Sequence, residues 1–311
     1  MTVNLQSSVI HYDLNGILNK SDIMKTKNDL PIFSLLVCFL LLSIPAWTQN
    51  HIIHSDSLYS TNLKEQRQIQ VIFPQQYNPD SKDSLDVLYV LDGEWNTPLS
   101  KTVIGFLEYA QFVPTNVLIV SVPNNYKEGE NMRGRDFTPT RVEKRSPISG
   151  GADNFLLFLK EELVPFVNKN YPINVENNIL YGTSYGGLFA IYAYLLEPSL
   201  FKSYLTVEPS LMWDNYLLIK IASERLEKII GTNNTLWIGS RDGMAFEEMG
   251  ISKFDSLLNL KAPEGLHWNV ETYPNETHFS AIWKGLYDGL KFTYTQSKVD
   301  GEIVNRANTN R

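Results

Sequence analysis

Ser184, at the centre of the segment GTSYG (182–186), is the residue with the clearest potential for chemistry in this sequence. The segment matches G-x-S-x-G, in which a sharp strand-to-helix turn exposes a serine hydroxyl as a nucleophile. The preceding residues, NNILYG, are typical of a strand, and the following residues, GLFAIYAYLLE, are typical of a helix. Glycines permit the tight backbone, and the start of a helix favours an anion near the hydroxyl. This context predicts that Ser184 is a nucleophile and not merely part of a glycine-rich turn.

A serine hydroxyl needs a general base, and the chain has five histidines. His11 is far from any core element, and His51 and His54 precede the first predicted core strand. His267 comes before the predicted strand WNVETY, whereas His278 follows it, in the loop ahead of the last predicted helix. An α/β-hydrolase has its base in the loop after the last core strand, so His278 is the predicted base.

The acid that orients the histidine is expected after the predicted strand TLWIG, where the sequence continues SRDG (240–243). Asp242 in this segment would give the chain order Ser, Asp, His, and would stabilise the protonated imidazole. The alternative is that Asp242 belongs to an ordinary Asp-Gly turn and that Glu247 or Glu248 is the acid.

Two backbone amides are needed to stabilise the oxyanion of a tetrahedral intermediate. One is predicted to be that of Tyr185, the residue after the nucleophile. The other is expected from the loop LDGEW (91–95), which follows the apolar run VLYVL, and there the Glu94 amide is the candidate. Gly93 as a simple turn residue is the alternative interpretation of this loop.

Strand-like and helix-like patterns alternate along the chain and would position these residues. Strands are predicted at 68–73, 86–91, 116–122, 178–181, 202–207, 235–239 and 268–273, and several are nearly continuous apolar runs, as in parallel strands covered on both faces. Helices are predicted at about 100–111, 153–171, 186–196, 214–230, 246–260 and 281–295. This alternation predicts an α/β fold with a doubly wound, mostly parallel sheet, helices on both faces, and a site beyond the carboxyl ends of the strands.

Composition is that of an ordinary globular protein: 311 residues, 43% hydrophobic and 20% charged. No linker or repeat divides the central part, so one catalytic domain is predicted at 49–296, followed by a polar tail at 297–311. The net charge of −7 argues against binding to nucleic acid or to anionic membrane surfaces.

The N-terminal part has its own pattern. From Met24 a short basic start leads into the apolar run LPIFSLLVCFLLLSIPAW, which predicts a signal peptide at 24–48, cleaved before Gln49. Residues 1–23 lack this pattern and are interpreted as a non-native extension. The mature protein would be periplasmic or secreted, without a membrane span; an uncleaved anchor and lipidation at Cys38 are the alternatives. Removal of Cys38 would leave no cysteine for a disulfide.

Longer blocks resemble a known family. YVLDGEW, NMRGRDFTPT, SGGADNFLLFLKEELVPF, GTSYGGLFAIYAYL, EPSLMWD and THFSAIWKGLYDGL occur in the order seen in the esterase D-like esterases, and within them most resemble the siderophore esterases that hydrolyse enterobactin, salmochelin or bacillibactin. The resemblance implies an α/β-hydrolase fold, ester hydrolysis by Ser184 and His278, and no metal or other cofactor. Two positions depart from that branch: Thr183 replaces a usual histidine, and Glu208 stands where a small residue is commoner.

The expected substrate is a small-molecule ester, and the basic residues of one segment suggest its charge. They are Arg133, Arg135, Arg141, Lys144 and Arg145. At the rim of a site they would favour an anionic substrate such as a ferric catecholate or an acidic glycan. Arg133 and Arg135 are the predicted substrate-binding members, and pairing of either with Asp136 is the structural alternative. Trp95 and Trp213 are candidates for binding an aromatic or sugar ring, or for the core.

The leading hypothesis is therefore an exported serine esterase that acts on a siderophore ester through an acyl-enzyme. A carbohydrate esterase that removes feruloyl or acetyl groups is the second hypothesis. A cytosolic S-formylglutathione hydrolase is disfavoured by the predicted signal peptide. A catalytically silent binding protein is disfavoured by the presence of both Ser184 and His278.

Overall fold

The computed structural model describes residues 51–81 and 83–295, together with the backbone of two short strands at 298–299 and 302–303. The predicted N-terminal extension and signal peptide lie outside the described residues, as does most of the predicted tail. Among the helices of the described ranges, none is both long and apolar enough to cross a membrane.

An eight-stranded sheet forms the centre of the domain, in the order β1-β2-β4-β3-β7-β8-β9-β10. Its strands are β1 (Ile53–Ser60), β2 (Glu65–Ile72), β3 (Leu85–Leu91), β4 (Val117–Val122), β7 (Ile173–Thr183), β8 (Ser203–Val207), β9 (Thr235–Arg241) and β10 (His267–Tyr273). Two small hairpins pair β5 (Tyr126–Lys127) with β6 (Glu130–Asn131), and β11 (Lys298–Val299) with β12 (Glu302–Ile303). In the large sheet, β2 is antiparallel to both of its neighbours, β1 and β4, and all other neighbouring pairs are parallel. The predicted doubly wound, mostly parallel sheet is confirmed.

Helices cover both faces of this sheet. They are α1 (Gly93–Tyr109), α2 (Arg133–Phe137), α3 (Ala152–Leu157), α4 (Val164–Asn170), α5 (Tyr185–Leu196), α6 (Trp213–Arg225), α7 (Met244–Glu248), α8 (Ile251–Lys261) and α9 (Ser280–Thr295), with a π-helical segment Phe158–Leu163 and a 3₁₀ turn Leu226–Lys228. Residues of α1 and α9, such as Leu107 and Leu286, belong to one buried cluster. Phe155 and Phe189, from α3 and α5, belong to the other. β3, β4 and β8 are buried along their whole length, and this burial on both faces explains why most of their residues are apolar.

Three of the differences between the structure and the sequence predictions have a clear physical reason. Strand β1 was not predicted, because it is an edge strand with mostly exposed side chains. The helix predicted at 153–171 contains a π-helical segment in its middle. The helix predicted at 246–260 is two helices, since Gly250 has a positive φ of 80° that ends α7 and precedes α8.

The parallel strands end at one edge of the sheet, and polar residues follow several of these ends. Ser184 comes directly after β7 and Glu208 directly after β8. His278 lies in the loop between β10 and α9. The topology therefore brings three separate parts of the chain to one edge, as expected for this type of sheet.

Candidate active site

Ser184 occupies a strained turn between β7 and α5. Its φ of 56° and ψ of −115° lie outside the regions that residues with a side chain ordinarily adopt. A Cβ added at Gly182 would lie 2.3 Å from the carbonyl oxygen of Gly186, so only glycine fits this close approach. The backbone of Ser184 is held on both sides, because its amide donates to Val207 O at 3.1 Å and its carbonyl accepts from the Ser210 amide at 3.1 Å. The turn thus has the geometry expected of an exposed nucleophile.

His278 is anchored by a carboxylate. Its Nδ1 lies 2.9 Å from Oε2 of Glu208, and about 29% of its side chain is exposed. A carboxylate can only accept a hydrogen bond, so this contact assigns the proton of the neutral ring to Nδ1 and leaves Nε2 free to accept one. This is the tautomer that a general base requires.

Glu208 is fully buried and has four hydrogen-bond donors. Oε1 accepts from the Arg241 amide at 2.6 Å and from Ser240 Oγ at 3.1 Å. Oε2 accepts from Arg241 Nε at 2.7 Å, besides His278. Burial raises the pKa of Glu208, but the hydrogen bonds from His278 and Arg241 and the charge of Arg241 outweigh it, so the pKa is lowered overall. Glu208 is therefore an ionised acid in contact with His278.

This contact corrects the prediction of Asp242. Asp242 follows the end of β9 and is exposed, as are the alternatives Glu247 and Glu248. Glu208 takes the place beside His278 because its amide donates to Gly239 O at 2.8 Å, which extends the β8–β9 ladder and sets Glu208 beside the end of β9. One feature of the sequence could have indicated Glu208. It is a glutamate directly after the strand SYLTV, at a position where the family that this chain resembles more commonly has a small residue.

The oxyanion-binding amides were predicted at Tyr185 and Glu94, and both lie at helix starts. Tyr185 begins α5, and Glu94 is the second residue of α1. The first amides of an α-helix have no acceptor within the helix, so these two are not consumed by helical hydrogen bonds. The amides of Trp95 and Asn96, by contrast, both donate to Asp92 O at 2.9 Å.

A cavity of about 500 Å³ contains the reactive groups. It is lined by Trp95, Asn96, Arg133, Thr183, Ser184, His278, Phe279 and Ile282. Trp95 and Phe279 are 58% and 80% exposed, so two aromatic rings border the opening. Phe279 and Ile282 were not predicted as site residues, although their spacing places both beside His278 near the start of α9.

Arg133 reaches this cavity but is already paired. Its Nε and an Nη donate to the two oxygens of buried Asp92 at 2.6 and 2.9 Å. Its guanidinium also lies over the rings of Trp95 and Tyr185, at 5.7 and 5.2 Å from their centroids. The partner is therefore Asp92 and not Asp136, and much of the charge of Arg133 is neutralised by it.

Arg135 and Trp213 do not line the cavity, which corrects their predicted role in substrate binding. Arg135 donates to both oxygens of Glu65 at 2.8 and 2.7 Å and also to Asp136. Although burial raises the pKa of Glu65, its hydrogen bonds, led by that from Arg135, lower it to about 2. Trp213 is 1% exposed, packs edge-on against Tyr185 and donates to Thr140 Oγ1 at 3.2 Å. Both residues stabilise the fold behind the site.

Comparison with known proteins adds to this picture. The model of the family described as "Putative esterase" matches residues 60–248. The ferri-bacillibactin esterase BesA of Bacillus subtilis is 28% identical over 179 residues, or 51% of this chain and 60% of that protein. The apo-salmochelin esterase of Escherichia coli is 30% identical over 206 residues, or 62% of this chain and 64% of that protein. The chain thus matches about three fifths of the length of these curated relatives.

A solved structure agrees in fold. An IroE-like serine hydrolase from Shewanella oneidensis superposes with a TM-score of 0.71 at 29% identity, over 80% of this chain and 82% of that one. The α/β-hydrolase fold implied by the sequence resemblance is confirmed.

Proposed function

Because this chain belongs to that esterase family, we propose that it is a serine esterase with Ser184 as nucleophile, His278 as general base and Glu208 as the acid that orients the base. The observation that carries the proposal is the 2.9 Å contact between His278 Nδ1 and Glu208 Oε2, because His278 lines the same cavity as Ser184. A buried ionised carboxylate on Nδ1 is what a histidine needs to accept a proton on Nε2.

The reaction follows from these positions. His278 Nε2 takes the proton of Ser184 Oγ while Oγ attacks the ester carbonyl carbon, and Glu208 stabilises the imidazolium that forms. The amides of Tyr185 and Glu94 donate to the tetrahedral oxyanion. The imidazolium then protonates the leaving alcohol, and water activated by the same base hydrolyses the acyl-enzyme. In the free protein Ser184 Oγ contacts Ser210 Oγ at 3.4 Å, and such a hydroxyl commonly turns to its base only with substrate bound.

We further propose that the substrate is a siderophore ester with aromatic acyl groups. The two curated relatives are named as esterases of ferri-bacillibactin and apo-salmochelin. The exposed rings of Trp95 and Phe279 offer surfaces on which an aromatic acyl group can stack beside Ser184. Ile282 adds apolar surface to the same cavity.

A feruloyl ester of a carbohydrate is the second candidate. The same two aromatic rings favour it, because a feruloyl group is a single aromatic ring of similar width. The two candidates are distinguished by measuring kcat/KM for a siderophore ester and for a feruloyl ester under the same conditions. The ester with the higher kcat/KM is the favoured substrate.

Export remains part of the proposal. The basic start and apolar run of residues 24–48 support cleavage before Gln49 and a periplasmic or secreted enzyme. Mass spectrometry of the N-terminus from the native host tests it, and an intact chain that retains residues 1–23 in the cytoplasm would contradict it.

The esterase proposal is tested with the purified protein on siderophore, feruloyl and acetyl esters. Ser184→Ala and His278→Ala should each reduce kcat by about 10⁴-fold or more, and the double variant should be scarcely worse, since the pair acts as a unit. Circular dichroism should show an unchanged fold. If Ser184→Ala kept a tenth of the activity, another residue would be the nucleophile. Binding of these compounds without hydrolysis would instead indicate a silent binding protein.

A further inference from the structure

The carboxylate of Glu208 is shared between His278 and Arg241. Both Nδ1 of His278, at 2.9 Å, and Nε of Arg241, at 2.7 Å, contact the same oxygen, Oε2. The other oxygen is held by the Arg241 amide at 2.6 Å and by Ser240 Oγ at 3.1 Å. Arg241 therefore contacts both oxygens of the acid, one through its backbone and one through its side chain.

The other charged groups near the pair are occupied elsewhere. On the loop and helix that contain His278, Glu276 lies 3.6 Å from Lys284, whose ammonium also lies over the ring of Tyr273. Across the cavity, Arg133 is paired with Asp92. Asp242, next in sequence to Arg241, is exposed. Arg241 is thus the cation that shares a buried carboxylate with the proposed base.

We propose that Arg241 is a positioning residue of this active site: it fixes Glu208 toward His278 and limits how strongly the shared carboxylate stabilises the protonated ring. The inference rests on the proposed esterase function and concerns the same site.

Two physical effects follow from the contacts. The three hydrogen bonds from Arg241 and Ser240 fix both oxygens of Glu208, so a lone pair of Oε2 stays directed at Nδ1 without a loss of side-chain entropy during the reaction. The guanidinium is always charged, and a second cation on the same carboxylate disfavours protonation of the ring. Loss of the guanidinium is therefore expected to change how activity depends on pH.

The main test is the pH dependence of kcat/KM for p-nitrophenyl acetate. Arg241→Gln should move the acid-side midpoint of the profile upward by about 1 pH unit, because a nearby charge shifts a titration by about that much or more. Arg241→Lys keeps the charge but loses the directed Nε contact, so it should lower the plateau severalfold and leave the midpoint within a few tenths of a unit. Asp242→Asn, one residue away, is the matched control and should change neither.

A merely structural arginine would lower the plateau and leave the midpoint in place. That result for Arg241→Gln would overturn the proposal. Should the glutamine variant fail to fold by circular dichroism, Arg241→Met carries the same expectation.

A second readout is independent of turnover. In Ser184→Ala protein, NMR titration of the five histidine rings, with His278 identified by its loss in His278→Gln, should show a higher midpoint for His278 when Arg241 is replaced by Gln. In a Glu208→Gln background the same replacement should produce a shift of different size, since the coupling through the shared carboxylate is then absent. An equal shift with and without Glu208 would overturn the proposal. If the protein hydrolysed no ester but still showed the Glu208-dependent shift, the proposed esterase function would be contradicted. The proposed coupling of Arg241 to His278 through Glu208 would still hold.

Discussion

Replacement of Glu208 by glutamine is the sharpest test of the site, because the two side chains have the same shape. In Glu208→Gln, the amide oxygen can still accept from the Arg241 amide and from Ser240 Oγ. The amide NH₂ then takes the place of Oε2, where His278 Nδ1 and Arg241 Nε lie at 2.9 and 2.7 Å. Both groups donate in the native protein, so the NH₂ faces two donors.

The consequence for catalysis follows from the tautomer. The NH₂ of the new glutamine can donate a hydrogen bond to His278 only when Nδ1 carries no proton. The ring proton then moves to Nε2, and Nε2 can no longer accept the proton of Ser184. Amidation of a triad acid elsewhere lowers kcat by about 10⁴-fold, or about 5 kcal/mol of transition-state stabilisation. We expect a similar loss for Glu208→Gln with p-nitrophenyl acetate.

Stability should change as well. In Glu208→Gln the Nε–H of Arg241 loses its hydrogen-bond acceptor. A buried donor without an acceptor lowers the free energy of unfolding by about 1–3 kcal/mol. The pKa of Glu208 is lowered overall, so its ionised form stabilises the fold above its ordinary value of 4.5 and this contribution is lost as pH falls through the lowered value. The difference in Tm between the native protein and Glu208→Gln should therefore narrow on acidification.

Asp242→Asn is the control for this experiment. Asp242 is exposed, so its replacement should change stability by less than about 0.5 kcal/mol. Its kcat should stay within about twofold of the native value. Nearly full activity in Glu208→Gln together with a large loss in Asp242→Asn would refute the assignment of Glu208 and return the acid to the end of β9.

Further expectations concern the cavity, the charges and one buried acid. Trp95→Ala and Phe279→Ala should each raise KM for an ester with an aromatic acyl group about tenfold, as loss of an aromatic contact implies, and should spare p-nitrophenyl acetate; equal effects on both esters would contradict stacking. Because Asp92 neutralises Arg133, kcat/KM for an anionic ester should change less than about twofold as the salt concentration is raised to about 0.5 M. A steep fall in kcat/KM would instead show that unpaired surface charges attract the substrate. Burial raises the pKa of Glu108 to about 7, so its ionisation as pH rises costs stability. Glu108→Gln should add about 1 kcal/mol at pH 8, after allowance for solvent screening, and almost nothing at pH 4, as thermal melts would show.

The proposed nucleophile and base are the residues of the site that the sequence could indicate, because local geometry and chain order single them out. Ser184 is set by five consecutive residues, and the close approach at Gly182 explains why that segment requires glycine. His278 could be chosen because chain order alone decides which histidine follows the last strand. The fold could be predicted for a similar reason: buried parallel strands impose long apolar runs that few other structures need.

Among the charge pairs of this segment, the contact of Arg135 with its neighbour Asp136 was anticipated, but the other partners were not, because they lie far away in the chain. Five basic residues close together indicated a site for an anionic substrate, yet the partners of Arg133 and Arg135 lie 41 and 70 positions away, at Asp92 and Glu65. A cluster of arginines in the sequence shows where positive charges lie. Only the tertiary structure shows whether acidic side chains already neutralise them. The same limit applies to Trp213, whose burial against Tyr185 no local pattern indicated.

Glu208 combines both limits. The Asp-Gly pair at 242–243 gave the stronger local signal, since an aspartate after a strand is where a triad acid is expected. The actual contact depends on the positive φ of Glu208, 53°, and on a ladder hydrogen bond to Gly239, neither of which a sequence pattern indicates. A buried glutamate needs compensating donors, and Arg241, the residue next to the predicted acid, supplies two of the four. The prediction thus pointed to the end of β9, where the structure places Arg241, and not Asp242, against the carboxylate of Glu208 at the end of β8.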